Sequence, residues 1–316
     1  MLKYLLRRIL IALPVILGVT IITYTIISLA PGDVVDLMVD PNMSANDKAQ
    51  MRSDLGLDKP IPVQYGIWLK NLLKGDLGTS FLTRLPVADR IAERVGPTLM
   101  LSLAALIIAY LIAIPVGVVS ATKQYSLLDY GSSILALIGV SIPGFFLGMG
   151  LIFVFSLKLD WLPVSGMRTL GVEKSLGDLL QHLILPAIVL SAGTMGSVTR
   201  YTRSSMLDVV RQDYVRTARA KGVAERLVVY KHALRNALIP VVTLLGLQVP
   251  GLLGGAIITE QIFNWPGMGR LALEAISQRD YPTLMGLNLL TACLVVGGGL
   301  VSDMLYSVAD PRIRYS

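Results

Sequence analysis

Few side chains in this 316-residue chain could carry covalent or metal chemistry. There are two histidines, His182 and His232, and a single cysteine, Cys293. No H-E-x-x-H motif occurs, and so small a His/Cys complement excludes a catalytic zinc site or a Cys/His nucleophile pair. No glycine is followed by lysine, so the G-x-x-x-x-G-K-[ST] phosphate loop is absent and the chain supplies no such nucleotide site of its own. One cysteine rules out an internal disulfide; Cys293 reads as a small packing residue. His182, at the end of an apolar run, reads as an interfacial anchor.

What remains is non-covalent chemistry of two kinds. The first is a basic stretch from Arg200 to Pro240, where nine Lys/Arg face three acids, Asp208, Asp213 and Glu225. Met206, Val209, Val210 and Tyr214 form one helical stripe, and Val223, Leu227, Tyr230 and Leu234 form another, with Gly222 between them. That pattern predicts a helix–Gly–helix elbow, with Gly222 in the left-handed conformation that a side chain resists. Ala218 and Ala220 lie just before the bend, giving a surface suited to a partner's groove. The second kind is a thin set of amides and hydroxyls inside apolar runs. Gln248 leads it, because an amide at mid-depth needs a partner that lipid cannot supply. Ser141 and Asn288 complete the candidates for lining a path.

The elements positioning these groups are set by composition. The chain is 53% hydrophobic and 16% charged. Six windows lack Asp, Glu, Lys and Arg: 9–32, 95–122, 130–157, 182–199, 236–259 and 281–302. About 20 apolar residues cross a bilayer, so an all-α membrane protein with six spans is expected. The net charge of +7 is unevenly spread. With the N-terminus inside, the inner segments hold fifteen Lys/Arg and six acids, and the outer ones thirteen and fifteen. This is the positive-inside bias, with both termini and the basic elbow cytoplasmic; it is not a nucleic-acid footprint. The first apolar run is too long for a signal peptide and reads as a retained anchor.

Three segments follow in order: 1–32, a first span; 33–96, an extracytoplasmic helical cap; and 97–316, the remaining spans with the cytoplasmic loop 200–235 and an outer amphipathic helix over 266–279. Within the cap, Ser44 to Asp47 reads as a helix start and Gly56 as its stop. A second helix runs from Pro62 to Lys74 before Gly75, and a third, short one from Pro86 to Val95. Pro115 and Pro143 predict kinks inside the second and third spans. Over 266–279, Met268, Leu271, Ala272, Ala275 and Ile276 form an apolar stripe, with Arg270 and Glu274 paired at i, i+4 on the opposite face.

Thr217-Ala218-Arg219-Ala220-Lys221-Gly222 resembles the "EAA" signature of bacterial ABC-importer permeases, whose bend forms the coupling helix that docks into an ATP-binding subunit. Arg216 stands at the family's Glu position and Thr217 at its first Ala position, while His232 and Arg235 replace the later Ile and Pro. These departures resemble the peptide-type subfamily, as do 4–31, Gly75 to Ser80 (GDLGTS), Trp161 to Gly166 (WLPVSG), Phe263 to Gly269 (FNWPGMG) and the terminal Asp310 to Tyr315. The resemblance implies the type I ABC-importer permease fold in a bacterial inner membrane. It implies a second permease, two ATP-binding subunits on Arg216, Thr217, Ala218, Arg219, Ala220, Lys221 and Gly222, and a solute-binding protein outside. ATP and Mg would reside on those subunits, with no cofactor and no catalysis on this chain. The competing class is an ATP-independent channel or carrier whose basic elbow binds anionic lipid.

Overall fold

The computed structural model describes residues 2–38, 43–173, 175–248, 251 and 256–309. Helix dominates because a chain in hydrocarbon must satisfy each backbone N–H and C=O internally. In order, the helices are α1 (Leu2–Leu29), α2 (Val34–Met38), α3 (Ala45–Asp54), α4 (Ile61–Leu72), α5 (Val87–Thr122), α6 (Leu127–Ser141), α7 (Gly144–Leu151), α8 (Leu176–Val210), α9 (Asp213–Ala220), α10 (Glu225–Leu227), α11 (Leu234–Ala237), α12 (Ile239–Gln248), α13 (Ile257–Ile262), α14 (Met268–Ser277) and α15 (Tyr281–Ala309). Ile152–Lys158 and Val228–Ala233 are π-helical. Among the described residues the only β pairing is a single bridge between Thr79 and Pro86.

Four helices, α1, α5, α8 and α15, are long and apolar enough to cross a membrane. The third expected span is bent. The helix Leu127–Ser141 meets Gly144–Lys158 at 106°. Ile142, extended at ψ 125° because Pro143 bars it from the helical region, makes the corner. A kink was expected here, and the structure has a corner between two half-helices. The fifth expected window holds α12, whose ten residues are too short to cross a bilayer alone. Of 249–255 only Gly251 is described, so Pro250, Gly254 and Gly255 lie outside the described residues, as does the motif from Asp310 to Tyr315.

The core is the pair α5 and α8, which approach closely because their contact residues are small. A Cβ on Gly117 of α5 would lie 2.6 Å from the Thr202 Cβ and 2.9 Å from the Thr199 carbonyl of α8. A Cβ on Gly196 of α8 would meet the Ala136 carbonyl of α6 at 2.4 Å. These crossings follow the small-residue rule for helices in lipid, where close backbone approach replaces the hydrophobic drive.

The outer segment obeys its punctuation. Ser44 caps α3 by accepting the Asp47 N–H, and Gly56 and Gly75 take positive φ after α3 and α4. The expected helix from Pro86 to Val95 is not separate: it forms the first turns of α5, which runs unbroken through Pro97 to Thr122. Segments 33–96 and 97–316 therefore share a helix.

Candidate functional site

The elbow is a folded unit with its own core. After α8 stops at Val210, the chain turns at Arg211 and Gln212 and α9 begins, so the expected Met206–Tyr214 stripe is split across two helices. Val215 and Ala218, three apart on α9, are buried with Val118 and Ala121 of α5, Met206 of α8, and Val228, Val229, Ala233 and Ala237 beyond the bend. Gly222, at φ +75°, ends α9. Its N–H reaches the Arg219 carbonyl (2.9 Å) and the Val223 N–H the Ala218 carbonyl (3.2 Å), the paired bonds of a Schellman cap. Val223 packs on the same core, which supplies the apolar contact this cap favours. Arg219 closes the elbow from outside through Glu225 at 2.7 and 3.1 Å. The Arg219 guanidinium holds the exposed Glu225 carboxyl below the usual carboxylate range.

Of the seven residues assigned to the elbow's partner surface, six are exposed: Arg216, Thr217, Arg219, Ala220, Lys221 and Gly222. Ala218 is the correction. It faces inward because it sits three residues after Val215, on the stripe that must be buried. Thr217 donates its hydroxyl back to the Asp213 carbonyl at 2.9 Å.

About two helical turns before the end of α8, a buried ion pair ties α8 to α6. Arg203 donates from Nε to Asp129 Oδ1 (2.6 Å) and from Nη2 to Oδ2 (2.9 Å). Asp129, at the start of α6, also accepts from the Ser120 hydroxyl of α5 and from the Tyr125 N–H (2.9 Å). Its side chain is 3% exposed. Full pairing by two forked donors plus two more hydrogen bonds is what a carboxylate needs to be tolerated there. Three helices thus meet at one carboxylate.

Deeper in the membrane a cavity of about 340 Å³ opens between α5, α8 and α12. Its polar groups are Ser102, Thr194 and Gln248, and the Thr194 hydroxyl donates to Gln248 Oε1 at 3.3 Å. Gln248 therefore faces this cavity. Ser141 and Asn288 do not line this cavity; Ser141 is the exposed last residue of α6, and Asn288 is half-buried on α15. Cys293 is exposed rather than packed.

On the opposite side from the elbow, two fully buried carboxylates fix helix starts. Glu260 accepts the Thr98 hydroxyl (2.8 Å) and the Arg270 N–H (2.9 Å), while the Thr98 oxygen accepts the Met268 N–H (2.7 Å). A carboxylate from α13 thereby does for α14 what a local N-cap does elsewhere. Its place is secured by Gly267, where a Cβ would fall 2.2 Å from Glu260 Oε1. Arg270 and Glu274 pair at 2.9 Å as expected, while Ile276 of the expected stripe stays exposed. Asp280, before α15, accepts from Ser80 (2.6 Å), the Phe81 N–H (3.0 Å), Arg90 (2.8 Å) and Thr283 (2.7 Å). His182 is buried near the start of α8, bonded to Gly166 O (3.1 Å) and the Thr169 hydroxyl (3.2 Å).

Residue patterns did not identify Asp129–Arg203, Glu260 or Asp280. The only local trace was Ser126-x-x-Asp129, a capping-box pattern whose Ser hydroxyl does accept the Asp129 N–H. It marks a helix start and is silent about a partner 74 residues away.

Comparison with known proteins bears on this arrangement. Residues 113–315 match the family model described as binding-protein-dependent transport system inner membrane component, and residues 1–104 match its N-terminal counterpart. The oligopeptide transport system permease protein AppB of Bacillus subtilis is 48% identical over 316 residues, covering 100% of both chains. The dipeptide transport system permease protein DppB of Alkalihalophilus pseudofirmus is 44% identical, and the glutathione transport system permease protein GsiC of Salmonella typhi 43%, each over 100% of both chains. Among solved structures, the methionine ABC transporter MetNI in an inward-facing form matches with TM-score 0.55 at 16% identity, covering 70% of this chain and 96% of that one. That likeness establishes a shared type I permease fold. Matched along nearly its whole length, the chain belongs to the inner-membrane components of binding-protein-dependent ABC transport systems.

Proposed function

We propose that this chain is one of two permease subunits of an importer for di- and oligopeptides, driven by ATP hydrolysed on separate subunits. The names of its relatives support the cargo class, glutathione being itself a tripeptide. The observation that carries the coupling role is the two-sidedness of α9. One face is buried in a cluster shared with α5, α8 and the segment 228–233, and the other presents Arg216, Thr217, Ala220 and Lys221 as exposed residues beside the Arg219–Glu225 pair. A helix so mounted passes a push from outside into the cluster that joins it to α8, α5 and the segment 228–233.

In this reading the elbow and both termini are cytoplasmic, and the outer segment 33–96 receives a solute-binding protein. Binding of ATP closes the nucleotide-binding subunits, which draw the elbows of both permeases together. The spans then exchange inward-open for outward-open states, driven by the differential affinity of ATP for the two. The cavity at Gln248 lies on the path, and its neutral hydroxyl and amide groups suit peptide backbone shared by many cargoes.

The test is Gly222→Phe. No atom of this chain lies within 4 Å of a Cβ placed there, so the ring projects outward onto the partner's surface. The left-handed backbone adds a strain of about 1–2 kcal/mol, which a membrane-embedded fold survives. The variant is expected to reach the membrane at normal levels and lose peptide uptake. Wild-type uptake in that variant would overturn the coupling role.

A further inference from the structure

A second cavity, of about 480 Å³, lies between α5, α6 and α8, apart from the one at Gln248. Its walls are almost wholly apolar, including Val116 and Val119 of α5, Leu128 and Leu135 of α6, and Met195 of α8. At one end the tight crossing of α6 and α8 at Ala136 and Gly196 closes it. At the other stands the Asp129–Arg203 pair. The groove therefore begins at the level of the elbow-side membrane surface and ends within the hydrocarbon.

Charge tells what enters it. On α5 the lining residues Val116, Val119 and Ser120 lead to Lys123, the exposed residue that ends the helix. On α8, Gly196 and Thr199 continue into Arg200 and Arg203. Arg203 is neutralised by Asp129. Lys123 and Arg200 are exposed, and neither side chain has a hydrogen bond or ion pair among the described residues. Two cations without a partner among the described residues thus stand at the end of an apolar slot, Arg200 next to the lining residue Thr199 and Lys123 three residues after Ser120, where long basic side chains snorkel to the headgroup level. Tyr125 and Tyr201, 71% and 52% exposed, flank them as interfacial aromatics do.

We infer that this groove is a binding site for an anionic phospholipid of the elbow-side leaflet. One acyl chain occupies the slot, and the phosphate group is held by Lys123 and Arg200. The site is distinct from the elbow's outer face and independent of what cargo the transporter moves. A lipid seated there fills the splay between α6 and the α5–α8 pair, so it supports the position of the Asp129 junction.

The experiment uses the complete transporter purified in mild detergent, with dioleoyl-phosphatidylglycerol or dioleoyl-phosphatidylcholine added and retention read by native mass spectrometry. Wild type retains the glycerol lipid over the choline lipid, and added salt weakens the preference. Lys123→Gln with Arg200→Gln lowers glycerol-lipid retention by roughly ten- to thirty-fold and choline-lipid retention by much less, so the preference between the two is lost. Gly131→Leu fills the slot and abolishes retention of both at this site. Gly131 lines the groove with no atom within 4 Å of a Cβ, and leucine favours helix over glycine, so this variant folds. Equal retention of the two lipids by wild type overturns the inference, as does full retention by Gly131→Leu. So does efficient disulfide crosslinking of Gly131→Cys, in a Cys293→Ser background, to a cysteine placed on the second permease, since the groove would then house a protein helix.

Discussion

Removing one partner from the Asp129–Arg203 pair tests the junction of α8 with α6. Asp129 is almost fully buried and Arg203 is 28% exposed, so the two substitutions are unequal. Arg203→Met leaves a buried carboxylate with only the Ser120 hydroxyl and the Tyr125 N–H. Loss of one member of a buried pair costs roughly 3–5 kcal/mol, and the partly exposed arginine puts this case near the lower end. Asp129→Asn keeps the shape but removes the charge that four donors converge on, leaving a guanidinium that reaches water; about 2 kcal/mol is expected. In the double variant neither charge is stranded, so its destabilisation falls short of the sum of the singles by about 1–3 kcal/mol. The assay is reversible unfolding in mixed micelles for all four corners of the cycle, run beside peptide uptake and ATP hydrolysis in the assembled transporter. Under the proposed coupling role, each single variant should leave ATP hydrolysis intact while peptide uptake falls, since movement of α9 and α8 would no longer reach α6 through the pair. Additive energies, with a coupling below about 0.5 kcal/mol, would show that the pair is incidental and refute the reasoning.

Other substitutions probe the remaining features. Glu260→Ala removes the acceptor for the Arg270 N–H and strands the Thr98 hydroxyl; a loss of about 1–3 kcal/mol is expected, with hydrogen exchange rising first in α14. Gly196→Val drives a side chain into the Ala136 carbonyl and should cost at least about 1–3 kcal/mol in melting experiments, whereas Gly131→Ala at an open position should be neutral or stabilising. Gln248→Leu is expected to leave membrane insertion and thermal stability within about 1 kcal/mol of wild type while lowering peptide uptake, measured with labelled dipeptide. Glu225→Gln, at an exposed pair, should change stability by less than about 1 kcal/mol. Because the folded Glu225 carboxyl is held down by Arg219, that small contribution is present above about pH 4.3 and fades as pH falls through the lowered folded value.

Local features were legible from residue types alone. Ser44 with Asp47, Gly56, Gly75, the turn at Gly222 and the Arg270–Glu274 pair each depend on neighbours a few positions away, and the structure has them all. Spans were legible where charge-free runs were long. What escaped was set by tertiary packing. Pro143 announced a break, but the 106° corner follows from how Leu147, Leu151 and Phe155 pack beneath Leu185, Val189 and Phe263. Ala218 was assigned outward because small residues suit docking, yet three positions from Val215 it joins the buried stripe. Glu260 sat at the edge of an apolar window and read as its boundary. Its partners, Thr98 and the start of α14, come together only once α5 and α13 are folded against each other.

The unbroken run of α5 has a mechanical consequence. Its 36 residues span about 54 Å at 1.5 Å per residue, well beyond a hydrocarbon thickness of roughly 30 Å. Arg90 near one tip is fastened to Asp280, and Val118 and Ala121 near the other are embedded in the elbow. A rod anchored at both faces turns angular change into opposed translations: tilting ~54 Å by roughly 5° about its middle carries each tip about 2 Å in opposite senses. Both faces of the membrane then respond to the same event without any signal passing from residue to residue.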